Sequence, residues 1–298
     1  MPLSSIDRTE IDMKITEIIN GEHPSLSFEV FPPKTTDNFE SVLSATERIA
    51  ELSPSYMSVT YGAGGGTSLY TAEIAERLLS RGVTPLAHLS CISSTKEQIS
   101  RQLADLRERK IENILALRGD IPRDMDRPPM QYKYASELMS EIRDFGGFTI
   151  GGACYPEGHP ESESGDADIE SLRIKAECGC EFLTTQMFFD NNILYNFMYR
   201  LMRRGVNIPV IPGIMPVTNA KQIKRIISIS GNALPQRFIR LVDRYADNPQ
   251  AMKQAGIAYA TEQIVDLYAN GFNAVHVYSM NNPDVAARIK ANLSEIIA

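Results

Sequence analysis

Eight short apolar runs recur along the chain, each followed by a segment of helical periodicity, and this alternation limits the fold more than any other feature. The runs are LSFEVF (26–31), YMSVTY (56–61), LAHLSC (86–91), ILALRGD (114–120), IGGACY (150–155), FLTTQMF (182–188), PVIPGI (209–214) and AVHVYSM (274–280). The first six begin roughly 30 residues apart, the length of one βα unit. Between the first two, NFESVLSATERIAEL brings Phe39, Val42, Leu43, Ile49 and Leu52 to one side of a helix. Gly82, Gly146, Gly147, Gly179, Gly205 and Gly271 sit where such helices should end. Eight βα repeats within 298 residues predict a single (β/α)8 TIM barrel spanning 1–298. The segment 234–256, LPQRFIRLVDRYADNPQAMKQAG, reads as a helical insertion before the last strand. A doubly wound open sheet is the rival, but GAGGGT after the second run lacks the G-x-G-x-x-G spacing of a dinucleotide loop.

Strand side chains alternate between faces, so parity separates the helix side from the barrel axis. Ser27 and Glu29 oppose Phe28 and Val30. Ser58 and Thr60 oppose Met57 and Val59. His88 and Ser90 oppose Leu89 and Cys91. Arg118 and Asp120 oppose Leu115 and Leu117. Thr184 and Gln186 oppose Leu183 and Met187, while His276 and Tyr278 oppose Val275 and Val277. The polar members fall late in their strands, which predicts a polar cavity at the C-terminal mouth. Glu29 is the most demanding of them. A buried carboxylate costs several kcal/mol unless it is paired or protonated.

Composition narrows the chemistry. A net charge of −7 and a pI near 5.3 argue against a nucleic-acid partner, and no apolar run is long enough for a membrane span. Four cysteines are read as reduced thiols, which points to the cytoplasm. His88, His159 and His276 stand singly, with no H-x-H or H-E-x-x-H, so no metal site is expected. None of the eight runs carries a lysine for Schiff-base chemistry, and there is no G-x-S-x-G elbow. Two carboxylates, one arginine, histidines, tyrosines and an amide remain. That set suits binding a large polar aromatic ligand and moving a proton; hydride chemistry would need a cofactor.

The motifs SFEVFPPK, VTYGAGG, HLSCI, ILALRGD, YPEGHPE, TTQMFFD, IPGIMPV and VHVYSMN, in this order, resemble the methylenetetrahydrofolate reductase family over nearly the whole chain. The resemblance implies a flavoprotein that uses FAD and serves one-carbon metabolism and methionine biosynthesis. It also implies reduction of methylenetetrahydrofolate with electrons from NADH, NADPH or a partner subunit, and a homo-oligomer. Carried over by motif, the flavin would be held by Thr60, Tyr61, Ala63, His88, Arg118, Gly119, Asp120, Tyr134, Ala135, Tyr155, His159, Asp168 and Lys175. Gln186, Gln222 and Tyr278 would bind the folate. Glu29 would be the general acid, its pKa raised by burial and by Asp120, and Asp120 would stabilise the developing cation. The family pattern is broken at Asn282, where relatives carry an arginine, and at Ile226, where some carry phenylalanine. A flavin-free folate-linked barrel such as a methyltransferase, or a non-catalytic folate-binding subunit, are the alternatives.

Overall fold

The computed structural model describes residues 14–33, 36–61, 68–120, 131–223, 226 and 234–298. The strands are β1 (Ser25–Val30), β2 (Met57–Val59), β3 (Pro85–Ser90), β4 (Asn113–Leu117), β5 (Thr149–Cys154), β6 (Phe182–Thr185), β7 (Val210–Ile211), β8 (Gly213–Ile214) and β9 (Ala274–Val277). All pairings are parallel, in the order β7-β6-β5-β4-β3-β2-β1-β9-β8. The two ends of that order are arms of one strand. Val210 and Ile211 pair with β6, Gly213 and Ile214 pair with β9, and Pro212 interrupts the ladder because it has no N–H to donate. The sheet thereby closes as an eight-stranded barrel, with the predicted seventh run divided in two.

Ten helices are described: α1 (Ile15–Ile19), α2 (Phe39–Ala50), α3 (Ser68–Ser80), α4 (Lys96–Glu108), α5 (Ala135–Phe145), α6 (Gly165–Glu177), α7 (Asn191–Arg203), α8 (Gln236–Tyr245), α9 (Pro249–Ala269) and α10 (Pro283–Asn292). The caps follow from local chemistry. Thr95 accepts from the Gln98 N–H at 3.2 Å, and Gln98 answers on the Thr95 N–H at 2.7 Å. Asn248 and Asn282 each precede a proline and cap α9 and α10. Asn282 therefore has a structural use here, its side chain accepting from the Val285 N–H at 3.2 Å. The predicted insertion before the last strand is present as α8 and the start of α9.

Outside β4, the core divides as parity predicts. Phe28, Val30, Leu89, Leu183, Val275 and Val277 point outward into the layer beneath the helices. At the N-terminal ends of the strands, Tyr56, Leu86, Leu115, Phe182 and Ala274 fill the barrel floor, and α1 stoppers it with Ile15 and Ile19. The Ile15 N–H donates to Asn113 Oδ1 at 2.9 Å, which ties the stopper to β4. A third cluster joins Phe189, Met215, Val217, Ile223, Ile226, Phe238 and Met252, seating α8 and α9 against the opposite end. Gly256 allows this. A Cβ there would lie 1.9 Å from the Val217 carbonyl oxygen.

Candidate active site

A cavity of about 460 Å³ opens at the C-terminal ends of the strands, where barrels of this kind carry their chemistry. Glu29, Ser58, His88, Tyr155, Thr184, Gln186, Gln222, His276 and Tyr278 supply its polar lining, and Leu117, Met187, Met215, Ile226 and Met280 much of the apolar wall. Glu29, His88, Tyr155, Gln186, Gln222 and Tyr278 were expected at a site from the sequence, and the fold brings these six together. Ser58, Thr184 and His276 were given the inward phase but no role.

Glu29 keeps 19% of its side chain exposed, and that part faces the cavity. Burial pushes its carboxyl up to about 8, and the Ser58 hydroxyl at 3.4 Å only partly opposes this. The acid is therefore mostly protonated at neutral pH. His88 Nε2 lies 3.7 Å away, but burial brings that imidazole down to about 3. Acid and imidazole face each other as neutral groups, at a distance too long for a hydrogen bond. His276 is also held near 3, by burial first and by His88 second.

Polar atoms without partners point to a ligand. His88 Nε2, Thr184 Oγ1 and Gln222 Oε1 are buried, line the cavity and find no hydrogen bond among the described residues. Gln186 accepts from the Met187 N–H at 3.0 Å through its carbonyl, which leaves its NH₂ to donate. The Tyr278 hydroxyl donates to the Thr185 carbonyl. Gly213 leaves room for it, since a Cβ there would lie 2.4 Å from both the Thr185 oxygen and the Tyr278 hydroxyl.

A second polar group forms on the rim beyond β4 and β5. Arg118 makes a bidentate pair with Glu161. The Tyr155 and His159 rings meet edge to face at 4.5 Å. Lys175 donates to the Ala153 carbonyl at 2.7 Å, and burial holds its ammonium below the ordinary lysine value. Burial raises Asp168, against the His159 backbone N–H and the Lys175 charge. Asp120 and Arg118 both act on Tyr155 through their charges. Gly119 has φ +79°, and a Cβ on it would lie 2.9 Å from Ser90.

Other expected residues stand apart from the cavity. Tyr61 turns toward α4 and accepts from Gln102 Nε2 at 3.0 Å, and the Thr60 carbonyl accepts from Thr71 Oγ1 at 2.9 Å. Tyr134 is exposed at the N-cap of α5 and Ala135 is buried in its first turn. Ala63 lies outside the described residues. On β4 the inward phase belongs to Leu115 and Leu117, so parity does not carry Arg118 and Asp120 inward. Asp120 is exposed past the strand end, and it is not among the causes of the Glu29 shift, which is an effect of burial.

A closed parallel barrel with a protonated carboxyl in a cavity at its C-terminal mouth defines a barrel enzyme. The family model for methylenetetrahydrofolate reductase matches residues 14–294. A 5,10-methylenetetrahydrofolate reductase of Pectobacterium carotovorum is 34% identical over 266 residues, covering 89% of this chain and 88% of that one. The Escherichia coli protein of the same name is 32% identical, with 89% of each chain covered. Methylenetetrahydrofolate reductase (NADH) 1 of Arabidopsis thaliana is 33% identical over 95% of this chain, which spans 50% of the plant protein. Among solved structures, a Clostridium thermocellum protein described as binding two copies of 5-methyl-5,6,7,8-tetrahydrofolic acid superposes with a TM-score of 0.64. It is 14% identical, with 95% of this chain and 99% of that one covered, and shares the fold. The chain belongs to the methylenetetrahydrofolate reductase family.

Proposed function

We propose that the chain reduces 5,10-methylenetetrahydrofolate to 5-methyltetrahydrofolate, with Glu29 as the general acid. The observation that carries this is a carboxyl kept protonated by burial inside a cavity that presents amide and hydroxyl groups to a polar aromatic ligand. Opening the methylene bridge at N10 makes an amine the leaving group, and an amine leaves readily only when protonated. Glu29 holds that proton at neutral pH, and a ligand filling the cavity removes its remaining water and holds it more firmly. Gln186 and Gln222 offer a donor and an acceptor to the ring edge, and Tyr278 closes one side. Asp120 at the rim supplies the negative charge that favours the cation left on the pterin.

The unpartnered Nε2 of His88, the buried ammonium of Lys175 and the Arg118 guanidinium fit an FAD, whose diphosphate needs cations and whose ring needs hydrogen-bond partners. Asp168, Tyr155 and His159 stand ready for its hydroxyl groups. A bound flavin would supply the hydride. The electron source is a reduced nicotinamide, a reading favoured by the plant relatives named as NADH enzymes. The free thiols Cys91, Cys154, Cys178 and Cys180 suit the cytoplasm.

The test is an anaerobic assay on purified protein reconstituted with FAD and chemically reduced. Methylenetetrahydrofolate should reoxidise the flavin and yield 5-methyltetrahydrofolate by mass. Bound folate without product would favour a binding subunit, and methyl transfer without flavin would favour a methyltransferase.

A further inference from the structure

Behind Glu29 a line of side chains runs into the barrel wall. Ser58 Oγ lies 3.4 Å from Glu29 Oε2 and 3.0 Å from His276 Nε2. His276 Nδ1 lies 2.7 Å from Ser27 Oγ, which in turn lies 3.1 Å from the Val275 carbonyl oxygen. All of these side chains project from β1, β2 or β9. Each serine has one proton, and His276, held neutral by burial, has one on its ring. The Val275 oxygen can only accept. If Ser27 donates to it, Ser27 accepts from Nδ1–H, and Nε2 then accepts from Ser58. The Ser58 proton is thereby used, and its oxygen can bond Glu29 only by accepting from a carboxylic acid. That arrangement makes all four contacts. The opposite tautomer makes three, because Ser27 must leave Val275 to reach Nδ1.

We propose that His276 is a positioning residue for the acid: locked as the Nδ1–H tautomer by Ser27, it draws the Ser58 proton to itself and so leaves Ser58 able to accept from Glu29, which keeps Glu29 in its acid form. Ionised Glu29 would face a serine oxygen whose proton points away. To solvate the carboxylate, Ser58 must turn from His276, and Nε2 then loses its donor. The line therefore opposes early loss of the proton, in addition to burial. A Ser58 hydrogen turned toward Glu29 would favour the carboxylate and is the partial opposition to burial at that acid. The 3.0 Å contact to His276 is shorter than the 3.4 Å contact to Glu29, so that hydrogen goes to His276.

No charged group among the described residues competes for this control. The groups facing Glu29 and His276 are His88 on β3, Tyr56 ahead of β2, Tyr155 past β5 and Tyr278 past β9. Burial keeps the three tyrosines protonated and His88 neutral. Tyr56 stacks on His276 with centroids 5.6 Å apart and planes 3° apart, which fixes the ring orientation.

The inference rests on Glu29 as the acid of the proposed reaction, yet it is testable without folate. Nitrogen-15 NMR of histidine-labelled full-length protein reads the tautomer directly, with His276→Gln assigning the signal among four histidines. Nδ1–H is expected in the parent, and Nε2–H would overturn the proposal. The carboxylic acid band of Glu29 is then titrated by infrared difference spectroscopy, with Glu29→Gln as the assignment control. Ser27 does not line the cavity, and Ser27→Ala unlocks the ring. Its expected effect is a fall of about one pH unit in the Glu29 midpoint, because Ser58 becomes free to donate to the carboxylate. An unchanged midpoint in a folded variant would overturn the proposal. If Ser27→Ala does not fold, the tautomer of the parent decides alone. Absence of folate turnover, with tautomer and midpoint as stated, would remove the catalytic reading and leave the positioning one intact.

Discussion

Glu29 separates two steps that would otherwise be hard to tell apart. Glu29→Gln keeps the shape and the reach but has no proton to give. Flavin reduction by the donor should stay within about tenfold, while methylenetetrahydrofolate turnover falls at least about a hundredfold, the low end for loss of general acid catalysis. Stopped-flow absorbance of each step on the same variant measures both, and equal losses would make Glu29 structural. Gln186→Ala removes a donor from the cavity wall, and folate turnover should weaken by about 1–3 kcal/mol while flavin content holds. Loss of flavin instead would move Gln186 to the cofactor. At this scale the sequence was legible where a residue type contradicted its surroundings. A carboxylate between Phe28 and Val30 needs a reason, and so drew notice. Ser58 and His276 did not, because a serine or a histidine inside a strand is commonplace. What makes them a line is proximity between residues 218 positions apart, which no local pattern encodes.

The strands were readable because their outward faces pack against helices and their inward faces do not. That rule held for β1, β3, β6 and β9, whose polar residues point in. It failed at β4 for a physical reason. Leu115 belongs to the apolar barrel floor and Leu117 to the cavity wall, so apolar residues occupy the inward phase there and hydrophobicity no longer tells the faces apart. The split of the seventh run at Pro212 was also hidden, since both arms are apolar and their partners lie on different strands. One element-scale contact is open to test. Gly256→Ala drives a methyl group into the Val217 carbonyl, and backbone at that spot has no cheap way to move. The variant should lose about 1–3 kcal/mol in urea melts, in line with overpacked cores. Because Met215 and Ile226 share the cluster that α9 supports, its affinity for folate should fall as well. Parent-like stability would mean that α9 slides freely on that loop.

For the molecule as a whole, the buried titratable groups set a pH window for stability. Glu29 has its folded pKa raised from 4.5 to about 8, so the stability it contributes is full below 4.5 and is lost as pH rises through 8. His88 and His276 have theirs lowered from 6.5 to about 3, so their contribution is present above 6.5 and lost as pH falls toward 3. Melting temperature should therefore decline on both sides of a broad maximum. Glu29→Gln should flatten the decline above about pH 6.5 and steepen the acid side below it, as calorimetry across roughly pH 4 to 9 would reveal, a window from about the ordinary carboxyl value to about one unit past the folded value of Glu29. The break at Pro212 bears on something else. A cylinder whose other strands are bound by continuous ladders has a seam where one strand is held by two short arms. Breathing should begin along that seam, so deuterium should enter the amides of Leu183, His276 and Tyr278, which bond Pro209, Pro212 and Ile214, before those joining β3 to β4. His276 and Tyr278 also line the cavity, so breathing along the seam should widen the pocket at that wall.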